Sequence, residues 1–323
     1  MLDLKEAEAW VDAALTAGGS RRTGKLETFR TRPWGVVLRA DSSNGVVWMK
    51  EPRGATAFEV PLYWLLAECA PEAILVPLAV DEERGWVLLP DGGTSLGERA
   101  DGEELVHAMA KALSRYARLQ RAVEPRVGDL RDIGIADMTP SAMPARFDEA
   151  VQAGERYVRS SGDSADAEGL DRVAGHRATF LEWCEELANR PGGVSLDHND
   201  LHPWNVLGSP DQPGGLRFYD WGDSVIAHPF ATTLVPLGVI ARLGPQAVER
   251  LRDAYLEPFA DVAPREDLID TVELACRVAK VARALTWERA LLAGDESSAE
   301  RDFRRAPLES LESLLDDSYL GNT

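Results

Sequence analysis

The sequence has few cysteines, and they are scattered. Its 323 residues include only Cys69, Cys184 and Cys276. These lie far apart, without the paired spacing that is typical of a structural zinc site. Such a composition is typical of a reduced cytoplasmic protein, and one disulfide with a third free cysteine is the alternative.

Long apolar runs are also missing. No stretch approaches the roughly 18 consecutive apolar residues of a membrane span. The N-terminal segment, residues 1–8, is charged and lacks the apolar centre of a signal peptide. We therefore predict a cytoplasmic protein with no membrane partner.

Basic residues are outnumbered, with 35 Lys and Arg against 54 Asp and Glu and a formal net charge of −19. Nucleic-acid binding depends mainly on Lys and Arg, so we expect no nucleic-acid partner. The acidic balance would suit a cationic small-molecule substrate, whose approach a negative cleft accelerates. A role in solubility alone explains the same charge equally well.

The first 90 residues carry the patterns of a small sheet. Two β-rich runs flank Asn44-Gly45, a dipeptide typical of hairpin turns. An order of strands, one helix and further strands indicates an antiparallel sheet with a helix packed on it. The predicted elements are a helix over residues 3–17, strands over 35–41, 45–50, 74–80 and 85–89, and a helix over 56–69.

Beyond residues 90–93 the patterns become helical. Apolar residues between 105 and 119 recur at the spacing of an amphipathic helix. Helices are also predicted over 147–158 and 173–188, and the polar segment 160–166 between them is interpreted as a loop. From residue 233 to 315 the chain is predicted to be helical again. The whole is an α+β pattern.

Two short motifs between these helices carry the chemistry. His198-x-Asp200-x-x-x-x-Asn205 matches the catalytic loop of the protein-kinase signature, and Asp220-Trp221-Gly222 matches the metal-binding turn that follows it. The motifs occur in the expected order, 20 residues apart from Asp200 to Asp220. Apolar runs at 205–207 and 216–219 favour a hairpin that brings Asn205 and Asp220 together.

These residue types suit phosphoryl transfer, which requires mainly positioning and charge neutralisation. Asp200 is the candidate base for a substrate hydroxyl. Asn205 and Asp220 offer the oxygen ligands that Mg²⁺ prefers. Each acidic residue alone would be interpreted as a cap or a solvated loop residue, but their joint order argues against that.

The ordered motifs resemble those of the aminoglycoside phosphotransferase family, kinase-like enzymes that phosphorylate small molecules. The resemblance implies a protein-kinase-like, two-lobed fold, with a small β-rich nucleotide-binding lobe over residues 1–92 and a larger, mostly helical lobe over residues 93–323. It implies ATP or GTP with Mg²⁺ as cofactors. It also implies a small hydroxylated acceptor, with an antibiotic or related natural product as the leading class.

The resemblance assigns further nucleotide contacts in the first lobe. Lys50 ends an apolar strand at the position of the kinase lysine that holds the nucleotide phosphates. A glutamate partner is implied on the next helix, where Glu59 is the candidate and Glu68 the reserve. Pro61 raises the question of where that helix begins, since proline is tolerated only in the first turn.

Two expectations concern the rest of the nucleotide site. Residues 88–91 resemble the hinge that binds the adenine edge, which makes Leu88, Leu89 and Asp91 candidate contacts. Residues 31–35 contain one glycine, so the chain departs from the glycine-rich G-x-G-x-x-G loop of protein kinases.

Some residues near the motifs have alternative interpretations. His198 is expected to orient the loop, although His198, Asp200 and His202 could instead bind a transition metal. Pro203 and the oxygen ligands favour magnesium, and His202 is then a loop residue packed near the site. Asp223 either approaches a second metal or the substrate, or caps the next turn.

A helix predicted near residues 268–292 is a candidate wall of the site that binds the acceptor. The resemblance implies that such helices wall the substrate cleft, and an acid with an aromatic residue would suit an amine-bearing substrate. A solvated face with one core tryptophan is the interpretation that general surface composition favours. The residues concerned are Asp270, Glu273, Trp287 and Glu288.

Other functions remain alternatives. A metabolic kinase for choline, a sugar or an amino sugar would use the same residues. A kinase-like binding module without turnover would typically lack the lysine, the base or a metal ligand, and all are present here. A nucleotidyl transferase would release pyrophosphate instead of a nucleoside diphosphate. The oligomeric state is left open.

Overall fold

The computed structural model describes residues 2–211, 215–292 and 303–321. The N-terminal part is helix α1 and a five-stranded sheet with strand order β1-β2-β3-β5-β4, in which all pairs are antiparallel. A second helix, α2, is inserted between β3 and β4. The bounds are α1 Leu4–Ala17, β1 Glu27–Arg32, β2 Gly35–Ser42, β3 Gly45–Pro52, α2 Glu59–Cys69, β4 Ala79–Asp81 and β5 Trp86–Pro90.

The sheet has two differently covered faces, because side chains alternate along each strand. Val47 and Met49 of β3 pack against α1 in one apolar cluster. Trp48 and Lys50 point to the opposite face, toward the larger core and the cleft. The alternation therefore puts Lys50 in the cleft.

The predicted hairpin at Asn44-Gly45 is confirmed, with Ser42 paired to Gly45. The predicted strand over 74–80 is wrong, since only Ala79–Asp81 is a strand and residues 71–73 form a single 3-10 turn. Pro71 and Pro77 lack the N–H donors that a strand at this position would need.

Helix α2 begins at Glu59, so Pro61 lies in the first turn, where its missing N–H is tolerated. The helix thus starts later than the predicted residue 56, as Pro61 suggested. Glu59 therefore stands at the N-terminal end of the helix, fully buried.

The remaining chain is mostly helical, which confirms the α+β prediction. The boundary between residues 92 and 93 stays a prediction. The helices are α3 Leu96–Arg99, α4 Gly102–Val123, α5 Val127–Asp132, α6 Met143–Ser161, α7 Ser164–Gly175, α8 Arg177–Ala188, α9 Leu234–Ala241, α10 Pro245–Leu256, α11 Arg265–Leu292 and α12 Ala306–Glu312.

The predicted loop over 160–166 is wrong, because its polar residues cap helices. Helix α6 runs to Ser161, Gly162 adopts a φ of 68°, and α7 begins at Ser164. Asp163 accepts hydrogen bonds from the first N–H groups of α7. The helix predicted over 173–188 is likewise interrupted, at His176.

Five short strands carry the motif region. They are β6 Ala136–Asp137, β7 Ser195–Asp197, β8 Val206–Gly208, β9 Leu216–Phe218 and β10 Val225–Ala227. The order β6-β10-β7 forms one sheet, and β8 with β9 forms the predicted hairpin. The two motifs therefore occupy the connections β7–β8 and β9–β10.

Two further observations concern compartment. All three cysteines are free thiols, with Cys184 and Cys276 buried. Among the helices of the described ranges, none combines the length and the apolar character needed to cross a bilayer.

Candidate active site

The β8–β9 hairpin brings the two motifs together. Val206 pairs with Phe218, directly after Asn205 and before the Asp220 turn. The N–H of Tyr219 donates to the carbonyl of Asn205 over 3.4 Å. The two predicted metal ligands are therefore held at the same end of one short ladder.

A strained residue turns the chain toward Asp200. Asn199 has a φ of 59°, which is uncommon for a residue other than glycine. Its N–H donates to the Asp197 carboxylate over 2.7 Å, and its side-chain amide donates to the Thr286 hydroxyl over 2.7 Å. These bonds hold a conformation that is costly in isolation, as is common at functional sites.

Asp200 is surrounded by donors. Its Oδ1 lies 3.2 Å from the Arg283 guanidinium and its Oδ2 lies 3.3 Å from Nε2 of His202. Burial alone would raise the pKa of Asp200, but the His202 hydrogen bond and the Arg283 charge outweigh it and hold that pKa below its usual value. Asp200 is therefore an ionised carboxylate that can orient a hydroxyl and accept its proton.

Asn205 has the orientation expected of a metal ligand. Its Nδ2 donates to the carbonyl of Asp200 over 2.9 Å and to Oδ2 of Asp200 over 3.3 Å. Because these bonds occupy the amide nitrogen, the side-chain oxygen remains available as an acceptor.

Lys50 joins the sheet to the metal-binding turn. Its Nζ lies 2.6 Å from Oε1 of Glu59 and 2.6 Å from Oδ1 of Asp220. Burial alone would lower the pKa of Lys50, but the charges of Asp220 and Glu59 raise it well above its usual value. The charge of Lys50 in turn lowers the pKa of Asp220 to about 2. The reserve candidate, Glu68, pairs instead with Arg126.

Glu59 also fixes the turn itself, since its Oε1 accepts the N–H of Trp221 over 3.1 Å. Asp220 has a φ of 63°, a second left-handed residue outside glycine. The carboxylate oxygens of Asp220 and the amide oxygen of Asn205 are hard donors of the kind that suits Mg²⁺.

His198 lies behind this set and not beside a metal position. It is buried, packs against Trp221, and its Nε2 lies 3.0 Å from the carbonyl of Tyr219. Burial lowers the pKa of His198. Because a carbonyl oxygen only accepts, Nε2 of His198 donates this bond. It ties the catalytic loop to the metal-binding turn, which agrees with the expected orienting role.

The transition-metal alternative finds no support. Within the described ranges, no group of three His, Cys, Asp or Glu side chains could hold a metal ion. His202 does more than pack near the site, because it contacts Asp200 directly.

A cavity of about 310 Å³ lies between the sheet and the β8–β9 hairpin. Leu89 and Asp91 line it, while Leu88 does not. The side chain of Leu88 packs in the α1 cluster and its carbonyl accepts the N–H of Leu78. The Asp91 carboxylate accepts a hydrogen bond from Nε1 of Trp48 over 2.8 Å.

Gly92 allows the hinge to approach the hairpin closely. A Cβ atom on Gly92 would lie 2.3 Å from Cδ1 of Leu207, far inside van der Waals contact. Leu207 lines the same cavity. A residue with a Cβ atom at position 92 would therefore require the Leu207 side chain to move.

A second cavity, of about 480 Å³, opens beside Asp200. It shares Arg30, Lys50 and Asp220 with the first, so the two cavities meet at the phosphate-binding candidates. Asp223 lines it and does not act as a helix cap. Burial, followed by the charge of Asp200, raises the pKa of Asp223 to about 7.

Helix α11 supplies a wall that the sequence did not predict residue by residue. Arg283, Thr286, Trp287 and Ala290 line the second cavity at the i, i+3, i+4 and i+7 spacing of one helix face, and Arg289 joins them. Trp287 is therefore not a core residue. Asp270 and Glu273 lie outside the cavity lining, and Glu288 pairs with Arg156.

The Asp197→Asn variant tests the electrostatics of the loop. Asp197 is buried, and burial raises its pKa to about 6 from a usual value of 3.8. Compared with the unfolded chain, the folded protein therefore favours the protonated form of Asp197. The contribution of Asp197 to the free energy of unfolding is lost as the pH rises from about 4 through about 6. Relative to the variant, the wild type should lose on the order of 3 kcal/mol of unfolding free energy across that window.

Urea unfolding of both proteins between pH 4 and pH 8 measures this difference. Asn can still accept the N–H of Asn199, so the variant should fold. The exposed Asp132→Asn change controls for the loss of one charge. If the difference in unfolding free energy between the wild type and the Asp197→Asn variant does not change with pH, the pKa of Asp197 is not raised in the folded protein.

Comparison with known proteins agrees with this geometry. The family described as the phosphotransferase enzyme family matches residues 36–268. Comparison with curated proteins gives no significant match.

Solved structures share the fold. A choline kinase from Cryptosporidium parvum Iowa II has a TM-score of 0.65 at 13% identity, covering 99% of this chain and 98% of that one. A choline/ethanolamine kinase family protein from Mesorhizobium loti has a TM-score of 0.56 at 17% identity, with 97% and 94% covered. The macrolide 2'-phosphotransferase MphH from Brachybacterium faecium has a TM-score of 0.53 at 19% identity, with 93% and 98% covered.

These likenesses confirm the kinase-like fold that the motifs implied. The family match covers most of the chain, including both motifs and Lys50. The chain therefore belongs to the phosphotransferase enzyme family and is a small-molecule kinase of that type.

Proposed function

We propose that this enzyme transfers the γ-phosphoryl group of ATP or GTP to a hydroxyl of a small molecule, a natural product such as an antibiotic or a metabolite. The observation that carries the proposal is the meeting of two cavities at Lys50 and Asp220, with Asp200 lining only the second. A nucleotide in the first cavity would present its terminal phosphate to an acceptor in the second.

The nucleotide half of the site follows from the first cavity. Val37 of the sheet and Leu207 of the hairpin provide apolar walls for a base, and Leu89 to Gly93 form its edge. Lys50 would anchor the phosphates. Asn205 and Asp220 would hold Mg²⁺, which supplies charge neutralisation at the transferred group when it is bound.

The acceptor half follows from the second cavity. Asp200 would receive the proton of the attacking hydroxyl, while its contact with Arg283 keeps the carboxylate oriented. Because the pKa of Asp200 lies below its usual value, Asp200 acts mainly by orientation and accepts the proton late. That suits a loose transition state in which the nucleophile needs little activation.

A panel assay tests the proposal. Nucleoside diphosphate release from ATP and from GTP is measured with Mg²⁺ and with antibiotics of several classes, choline, sugars and hydroxy acids. We expect acceptor-dependent release of ADP or GDP. Failure of the Mg-nucleotide to bind at all would favour a binding module, and release of pyrophosphate would favour a nucleotidyl transferase.

The Glu59→Gln variant tests the assignment of the lysine partner. Gln can still accept the N–H of Trp221, but it removes one of the two charges that hold Lys50. We expect kcat/KM for the nucleotide to fall about tenfold, which corresponds to roughly 1.4 kcal/mol of lost interaction. Steady-state kinetics with varied nucleotide measure this.

The reserve candidate provides the matched control. Glu68→Gln makes the same chemical change on the same helix, at a side chain that pairs with Arg126 at the surface. It should leave kcat/KM within twofold of the wild type. Equal effects of the two changes would remove Glu59 from the site.

We also propose that the enzyme is cytoplasmic. Its three cysteines are free thiols, and the proposed reaction uses a nucleotide.

A further inference from the structure

The second cavity differs in charge from the protein as a whole. The chain carries a formal charge of −19, yet five Lys or Arg side chains line this cavity against three Asp side chains. The five are Arg30, Lys50, Arg53, Arg283 and Arg289. Basic side chains therefore outnumber acidic ones in the lining of this cavity, the reverse of the balance in the whole protein.

Three of these cations already have carboxylate partners. Lys50 lies between Glu59 and Asp220, Arg53 contacts Glu51, and Arg283 contacts Asp200. Arg30 borders both cavities, beside the predicted phosphate site. Arg289 lines the second cavity and not the first.

Arg289 has no carboxylate within ion-pair distance among the described residues. Its guanidinium donates to the Thr286 hydroxyl over 2.9 Å. Burial lowers the pKa of Arg289, which reflects the partly desolvated position of its charge. A guanidinium is the side chain best shaped to bind a carboxylate or phosphate through two parallel bonds.

Part of the wall of the second cavity is apolar. Val235 and Val239 of α9 and Trp287 of α11 line the same cavity. The Arg283 guanidinium lies 5.7 Å from the centroid of the Trp287 ring, and the Phe303 ring stacks on Trp287 at 5.4 Å. These contacts hold the ring in place as a preformed wall.

We propose that the acceptor carries an anionic group, a carboxylate or a phosphate, and that Arg289 binds this group. The apolar part of the acceptor then packs against Trp287 and the α9 valines, and the hydroxyl of the acceptor faces Asp200. This inference rests on the proposed function, since it assigns the second cavity to the acceptor. It replaces the cationic acceptor that the overall charge suggested.

Turnover with matched acceptors tests the substrate class. Gluconate, glucose 6-phosphate, glucose and glucosamine share hydroxyl groups but differ in charge, and the first two separate a carboxylate from a phosphate. ADP release is measured with each. We expect release with at least one anionic member, at a higher kcat/KM than with the neutral or amine member. Turnover restricted to the neutral or amine members would overturn the proposal.

A binding measurement gives an answer even without turnover. Calorimetry follows gluconate and inorganic phosphate binding to nucleotide-free protein, for the wild type and for Arg289→Gln and Arg159→Gln. Arg159 is an exposed residue of α6, paired with Glu155, so its change removes the same charge outside the cavity.

We expect at least one anion to bind the wild type and Arg159→Gln equally, and Arg289→Gln at least tenfold more weakly. Anion binding that is absent from the wild type, or equal in Arg289→Gln, would overturn the proposal. If the wild type fails to bind nucleotide but still binds an anion in a way that depends on Arg289, only the proposed function is contradicted.

Discussion

The Asp200→Asn variant should lose about 10³-fold in kcat, because a positioned proton acceptor typically contributes 10²- to 10⁴-fold. Asn has nearly the same shape as Asp, so the hydrogen bond from Asn205 can persist. The variant lacks only the charge that aligns the hydroxyl and receives its proton. Acceptor-dependent ADP release measures kcat, and calorimetry with Mg-ADP measures nucleotide affinity, which should change less than twofold.

The control is Asp129→Asn, at an exposed carboxylate that pairs with Arg126. It should match the wild type in both measurements. Near-normal turnover by Asp200→Asn would remove Asp200 from the chemistry. A large loss of nucleotide affinity would show that Asp200 acts in the first cavity instead.

The Asp220→Asn variant should lower kcat/KM for Mg-ATP by about 10³-fold, since a catalytic metal is worth several kcal/mol of charge stabilisation. Asn tolerates the left-handed backbone that position 220 requires. Lys50 keeps Glu59 as a partner, so the variant should remain folded. The lost carboxylate weakens the proposed Mg²⁺ site.

A magnesium titration identifies the cause. The Mg²⁺ concentration for half-maximal turnover should rise at least tenfold in Asp220→Asn. Asp211→Asn provides the control, because Asp211 lies at an exposed position between β8 and β9. An unchanged Mg²⁺ requirement together with a lower rate would mean that Asp220 acts through Lys50 and not through a metal.

The sequence predicted the parts of this site that are close together along the chain. Asp200 and Asn205 lie in one loop, and a single hairpin carries Asp220 back to them. Lys50 and Glu59 are nine residues apart, and strand alternation together with the start of α2 brings them together. Local chemistry and periodicity are enough for such arrangements.

Other residues depend on strand register or on packing between distant helices. Leu88 and Leu89 are neighbours, and only the register of β5 with β3 decides which of them faces the cleft. Arg283 reaches Asp200 from more than 80 residues away, through the packing of α11 against the motif loops. Arginine and tryptophan on a helix are ordinary surface residues until that packing is known.

If the proposed anionic acceptor is correct, net charge is a weak guide to the charge of the substrate. The value of −19 sums the whole surface, whereas recognition depends on the few side chains that line one cavity. Arg289 is one of 35 basic residues in a chain rich in acids. Only its position in the wall of the second cavity gives it a proposed role.

Transfer of a labelled γ-phosphoryl group tests the central claim most directly. The wild type is incubated with Mg²⁺, γ-labelled ATP and the acceptor panel, and products are separated beside an Asp200→Asn reaction. We predict label on the acceptor in an amount equal to the ADP formed, and none above background in the variant. Label recovered as pyrophosphate, or transfer that persists unchanged in the variant, would contradict the account.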